Sequence, residues 1–207
     1  GGGGGPAVPG GEWARLPGGR EMGPPASVHV DIDGESIWAF IRCDETNPLP
    51  VARGGRFGID CMYPDGKLKT LDTIYKFDPK GNVVKSFGAQ MFIWPHGMDV
   101  DREGNVWVTD GAADEAVRTA AKAGVKAGHI VRKFSPDGKV LMTLGEPGVG
   151  GNDEYHFRSP SGVVTAPNGD IFVADGHGSN DRIVKYSKDG KFIKAWGKTG
   201  YAPGEFR

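Results

Sequence analysis

The chain has 207 residues, enough for one large domain or two small ones around a real core. Lys and Arg number 25 against 26 Asp and Glu, a formal net charge of -1. There is no basic excess to neutralise phosphates, which argues against a dedicated nucleic-acid binder. No apolar run approaches the ~18 residues that cross a bilayer, so no membrane span is expected.

Residues 1–24 read as an arm. They carry Gly, Pro and a single Trp, with no period of 2 or 3.6. The arm is either a flexible linker or a segment that packs on a partner through Trp13 and Leu16. The chain opens on a run of glycines rather than on a basic-then-apolar leader.

From residue 25 onward the sequence repeats itself. One unit reads P-x-G/S-V/M-x-V/T, then a short turn, then an apolar run. Its copies begin at Pro25, Pro95 and Pro160, and the last two end in Asp110-Gly111 and Asp175-Gly176. A second unit alternates with it, as IYKFDPKGNVVKSFG (74–88), IVRKFSPDGKVLMTLG (130–145) and IVKYSKDGKFIKAWG (183–197). Apolar and polar residues alternate in both, and Gly-containing turns join their halves, so each unit predicts a β-hairpin. The turn glycines Gly81, Gly138 and Gly190 recur at about 50-residue intervals. Four short strands per repeat define a propeller blade. The predicted fold is therefore all-β, a β-propeller left incomplete at about three to four blades. One segment reads as helix. Residues 112–127 are Ala-rich, acidic early and basic late, and form an insertion on one rim of the propeller, either a solvent-facing decoration or a cap over the central channel.

Cys43 and Cys61 flank an inserted loop, DETNPLPVARGGRFGID. They read as a disulfide in an exported protein, or as free thiols in a cytosolic one. The spacing is not that of a metal site. Arg53 and Arg56 of the loop are candidates for the channel mouth. Asp110 and Asp175 end equivalent strands, which points to a structural, turn-capping role.

The repeats resemble NHL repeats, and more narrowly the peptidyl-α-hydroxyglycine α-amidating lyases and their bacterial relatives. The resemblance is carried by FIWPHGMDVDREGNVWVTD (92–110), GNDEYHFRSPSGVVTAPNGDIFVADG (151–176) and DRIVKYSKDGKFIKAWG (181–197). It implies a six-bladed ring, of which residues 25–207 supply only part. The propeller would be a fragment of a longer protein or a half completed by another chain. In the lyases, three His from P-H-x turns on alternate blades hold an axial zinc. Pro95-His96-Gly97 matches the first such turn, and the other two would fall beyond Arg207. Arg42 matches an active-site Arg able to bind a substrate carboxylate, with a rim salt bridge as the plain alternative. Met98 matches a residue whose backbone carbonyl helps hold a structural calcium. His177 stands where the lyases carry a Tyr proposed as a base, and His also moves protons near neutral pH. Arg158 and Gly178 stand where a family disulfide would be, and His156 is matched in a structural role.

Three functions follow as expectations. The first is an extracellular or periplasmic propeller that binds a protein or peptide without established catalysis. The second is a zinc-dependent amidating-lyase-like enzyme using Arg42, His96 and His177. The third is a structural subunit that self-associates through the Gly-rich arm and the open propeller edge.

Overall fold

A computed structural model describes residues 16–17, 25–43, 61–176 and 181–197. Most of the arm with Trp13, the loop holding Arg53 and Arg56, and His177 lie outside the described residues. Within the described residues, twelve strands and one helix follow in chain order. They are β1 (Pro25–Val30), β2 (Ile37–Ile41), β3 (Ile74–Phe77), β4 (Val83–Phe87), β5 (Pro95–Val100) and β6 (Val106–Asp110), then α1 (Asp114–Lys122). After the helix come β7 (Ile130–Phe134), β8 (Val140–Leu144), β9 (Pro160–Thr165), β10 (Ile171–Asp175), β11 (Arg182–Tyr186) and β12 (Phe192–Gly197).

The strands form three four-stranded antiparallel sheets, each in simple sequential order. These are three blades of an incomplete propeller, with β5 neighbouring both β1 and β9 as the inner strands. The hairpins form where alternation and turn chemistry agree. At the β3–β4 turn, Asp78 Oδ1 accepts from the N–H groups of Lys80 and Asn82, each at 2.9 Å. Gly81 follows at φ 82°, a left-handed conformation that only Gly adopts freely.

Cores lie between the blades. Trp38, Phe40 and Ile74 of the first blade meet Val106, Val108, Ile130 and Phe134 of the second. Trp107, Val131 and Leu144 of the second meet Ile171, Val173, Val184 and Tyr186 of the third. Burying each such side chain contributes about 1.5–3 kcal/mol. On the outer side of the first blade, Leu16 packs against Ala39, Ile41, Tyr75 and Phe77. This residue of the arm therefore docks on the chain's own first blade.

The inner strands approach closely. A Cβ built on Gly97 would lie 2.7 Å from both Gly162 Cα and the Ser161 carbonyl oxygen. The Pro-x-Gly repeat thus places a residue without a side chain where the backbones of β5 and β9 meet.

The helix is shorter than the predicted 112–127. At its start, the Ala112 N–H is taken by Asp110 Oδ1 at 3.1 Å, and Ala113 is extended at ψ 154°. At its end, Gly124 sits at φ 77°, and the N–H groups of Gly124 and Val125 donate to Ala121 and Ala120. That double bond is a Schellman stop, which overrides the helix propensity of the residues beyond. The helix packs Ala116, Val117 and Ala120 against Met62, Leu68, Ile93 and Trp94. It is a buttress on the rim rather than a solvent-facing decoration.

Candidate functional site

The Pro95-His96-Gly97 turn opens β5, and Arg42 directly follows β2 of the neighbouring blade. The structure brings the two together. The Arg42 guanidinium carbon lies 4.4 Å from the centre of the Trp94 ring, and Arg42 Nε–H donates to the Pro95 carbonyl at 3.2 Å. The His96 ring meets the Trp94 ring edge-on, with centres 5.0 Å apart at 82°. The Ser27 hydroxyl of β1 donates to the His96 carbonyl at 2.9 Å, tying the turn to the first blade. Arg42 and His96 are both half-buried, and Trp94 is buried.

The backbone under this cluster is held by a carboxylate. Asp110 is fully buried, and its oxygens accept from the N–H groups of Ile93 at 2.8 Å, Trp94 at 3.0 Å and Ala112. Burial pushes its carboxyl up to about 6, against the pull of those three N–H donors. Asp175 does the equivalent work one blade on. It accepts from the Arg158 N–H at 2.8 Å and pairs with Arg182 Nε at 3.0 Å. Both acids have the turn-holding role expected of repeated positions.

Cys43 and Cys61 form a disulfide with a Cα–Cα distance of 5.1 Å. The Cys61 N–H donates to the Ile93 carbonyl at 3.0 Å. The bridge therefore ties the residue after Arg42 to the segment that leads into Trp94. Met62, one residue past Cys61, then packs beneath α1.

Met98 lies on β5 opposite Val108, just past the bulge that follows Pro95, and its side chain enters the core between the first two blades. His156 sits on an exposed loop, with Nδ1 at 2.8 Å from Asp153 and Nε2 at 3.2 Å from Glu146. Its hydrogen bond to Asp153, seconded by Glu146, raises its pKa. Among the described residues no three His, Cys, Asp or Glu side chains converge on a point fit for a metal ion. His96 supplies one nitrogen, short of the three protein ligands of a catalytic zinc site.

Two residues escaped the sequence reading. Trp94 carries a faint signal, a large aromatic immediately before a Pro-His turn. His129 carries almost none, yet it is 1% exposed and sits at φ 62°. Its Nδ1 accepts from the Ser159 N–H at 2.9 Å, so Nε2 holds the proton and donates to Asp114 at 3.0 Å. Arg158 completes the group, with Nη1 at 2.7 Å from the other Asp114 oxygen. The cluster fastens the start of α1 to the third blade.

Fold and repeats together define a partial β-propeller of four-stranded blades, and residues 157–186 match the NHL repeat. The chain resembles the α-amidating enzymes in particular. It is 38% identical over 163 residues to peptidyl-glycine alpha-amidating monooxygenase of Mus musculus, covering 74% of this chain and 15% of that protein. It is 39% identical over 137 residues to peptidyl-alpha-hydroxyglycine alpha-amidating lyase 1 of Drosophila melanogaster, covering 63% of this chain and 22% of that protein. NHL repeat-containing protein 3 of Homo sapiens is 30% identical over 118 residues, 54% of this chain and 31% of that protein. The chain thus spans no more than about a third of the curated relatives it matches. Among solved structures, a eukaryotic initiation factor superposes with a TM-score of 0.51 at 10% identity, covering 89% of this chain and 34% of that one. Hydrazine synthase of Kuenenia stuttgartiensis gives 0.51 at 11% identity, covering 88% and 38%. These two likenesses concern the fold alone.

Proposed function

We propose that the chain is part of an exported propeller that binds a protein or peptide through a carboxylate at the Arg42–Trp94–His96 cluster. The observation that carries this reading is the Arg42 guanidinium lying 4.4 Å over Trp94, beside the His96 ring. A guanidinium offers a rigid fork of N–H donors matched to the two oxygens of a carboxylate. Stacking on an aromatic face limits the freedom lost when that fork engages a ligand. The disulfide supports export, since such bonds persist in oxidising compartments. Titrating short peptides into the wild type and Arg42→Ala tests the reading. A peptide with a free C-terminal carboxylate binds the wild type, and affinity falls about tenfold or more in the variant, the loss expected of one charge-assisted contact. Equal binding of an amide-capped peptide would contradict it.

The similarity to an amidating lyase, which reaches 39% identity, favours a second reading. In that reading Arg42 orients the carboxylate of a peptidyl-α-hydroxyglycine. The described residues do not by themselves make a zinc site. Zinc at His96, calcium at the Met98 carbonyl and proton transfer at His177 belong to this reading. Turnover of an α-hydroxyglycine peptide, assayed with and without added zinc, tests it. The face of the third blade turned away from the second favours the assembly reading, for among the described residues it carries exposed apolar side chains. Val164, Ile183 and Ile193 are exposed there, and Phe172 stacks on Trp196. A further blade would cover that side, and sedimentation across a concentration series tests for self-association.

A further inference from the structure

Trp94 is the centre on which the unusual parts of this chain converge. Its ring bears Arg42 on one side and the edge contact with His96 on another. Its N–H is held by Asp110 and its carbonyl by the Gly111 N–H at 3.0 Å, so the backbone is fixed at both ends of the residue. Its side chain is bedded among Met62, Leu68, Ala116 and Ala120, from the segment after the disulfide and from α1. Gly111 bounds His96 from a further direction. A Cβ there would lie 3.0 Å from His96 Cδ2 and 3.2 Å from the Pro160 carbonyl oxygen.

We infer that Trp94 is a positioning residue, which holds the Arg42 guanidinium in a fixed place relative to the His96 imidazole. Arg42 comes from the first blade and His96 from the second, so no single element sets their spacing. The indole spans the two, while Arg42 Nε–H anchors to Pro95, the residue between Trp94 and His96. A cation within about 6 Å of an aromatic face is held there by the ring's negative face. Trp94 contributes no group to a reaction. It acts through Arg42, and in its ligand-binding consequence the inference rests on the carboxylate-binding reading above.

The test uses the full chain, with Trp94→Leu, Trp94→Phe and each of these combined with Arg42→Ala. The first readout needs no ligand, and is the exchange of the Arg42 Nε–H with water, followed by NMR. Trp94→Leu is expected to speed that exchange about tenfold, whereas Trp94→Phe, which keeps an aromatic face, restores most of the protection. Unchanged exchange in Trp94→Leu would overturn the inference, whether or not any peptide binds. The second readout is affinity for a peptide with a free C-terminal carboxylate. Trp94→Leu is expected to weaken it about tenfold in the wild-type background and less than about twofold beside Arg42→Ala, since both changes remove one interaction. An equal loss in both backgrounds would show that Trp94 acts independently of Arg42, and would overturn the inference. Should the wild type bind no such peptide, the carboxylate reading fails and the exchange experiment alone decides the role of Trp94. If Trp94→Leu does not fold, the same comparisons are made on Trp94→Phe against a Trp94→Met variant.

Discussion

Asp99 of the second blade reaches across to Thr165 of the third, and one carboxylate oxygen accepts both the Thr165 N–H at 2.7 Å and its hydroxyl at 2.8 Å. The other oxygen lies 3.1 Å from His29 Nε2 on the first blade. A single side chain on β5 therefore links all three inner strands. Asp99→Ala removes the acceptor and leaves a Thr165 donor pair without it. Stability is expected to fall by about 1–3 kcal/mol. Denaturant unfolding measures this, and a loss below about 0.5 kcal/mol, the range of ordinary surface changes, would mean that the link is dispensable.

Asp110 is expected to be less replaceable than its size suggests. Asn in its place turns one acceptor oxygen into an N–H₂ donor facing backbone N–H groups that need an acceptor. A cost of about 1–3 kcal/mol follows for Asp110→Asn. The pH dependence has a definite sign. Burial raises the folded carboxyl from 3.8 to about 6, so between those values the folded state holds more protons than the unfolded one. This group's contribution to stability therefore declines as pH climbs through that window and is level above it. The variant loses that decline, which unfolding curves across pH 4–7 would reveal.

His129 has the opposite sign. Burial, the largest cause, holds its pKa below the usual 6.5, with Asp114 pulling the other way. Just below 6.5 the unfolded chain binds the proton and the folded chain does not, so stability falls as pH drops from 6.5 toward the folded value. Protonation would also set an N–H on Nδ1 against the Ser159 N–H, the bond that fastens β9. His129→Asn, which tolerates the left-handed backbone, is expected to flatten that part of the pH profile. A profile identical to wild type would contradict the assignment.

Reduction of the Cys43–Cys61 bond opens a loop with a sequence separation of 18. Stability is expected to drop by about 3 kcal/mol, chiefly through the freed unfolded chain. Because Cys61 donates to Ile93, the loss should also loosen the seat of Trp94. Unfolding with and without reductant measures the first effect, and Trp94 fluorescence in a variant lacking the other tryptophans measures the second. An unchanged midpoint would mean that the bridge is not formed.

The hairpins, the blade order and the disulfide were legible because their causes are local. Alternation sets a strand's faces, Gly81 and its counterparts set the turns, and two Cys around one loop leave a single intrachain pairing. The equivalent placement of Asp110 and Asp175 likewise revealed their role. The helix was over-extended because composition reports propensity, whereas the Asp110 carboxylate and Gly124 decide where it starts and stops. Trp94 and Asp99 were opaque for a different reason. Asp99 meets Thr165 across a separation of 66 residues, and Arg42 meets Pro95 across 53. Those contacts come from the docking of one blade on another, and no periodicity within a blade encodes them.

The most direct measurement is an NMR titration of the full chain that follows the Trp94 indole N–H and the Arg42 Nε–H together. Added peptide with a free C-terminal carboxylate should shift both signals along one saturable curve, and the amide-capped peptide should shift neither. Shifts confined to Trp196 on the third blade, with Trp94 and Arg42 unmoved, would place the binding surface elsewhere and contradict the account.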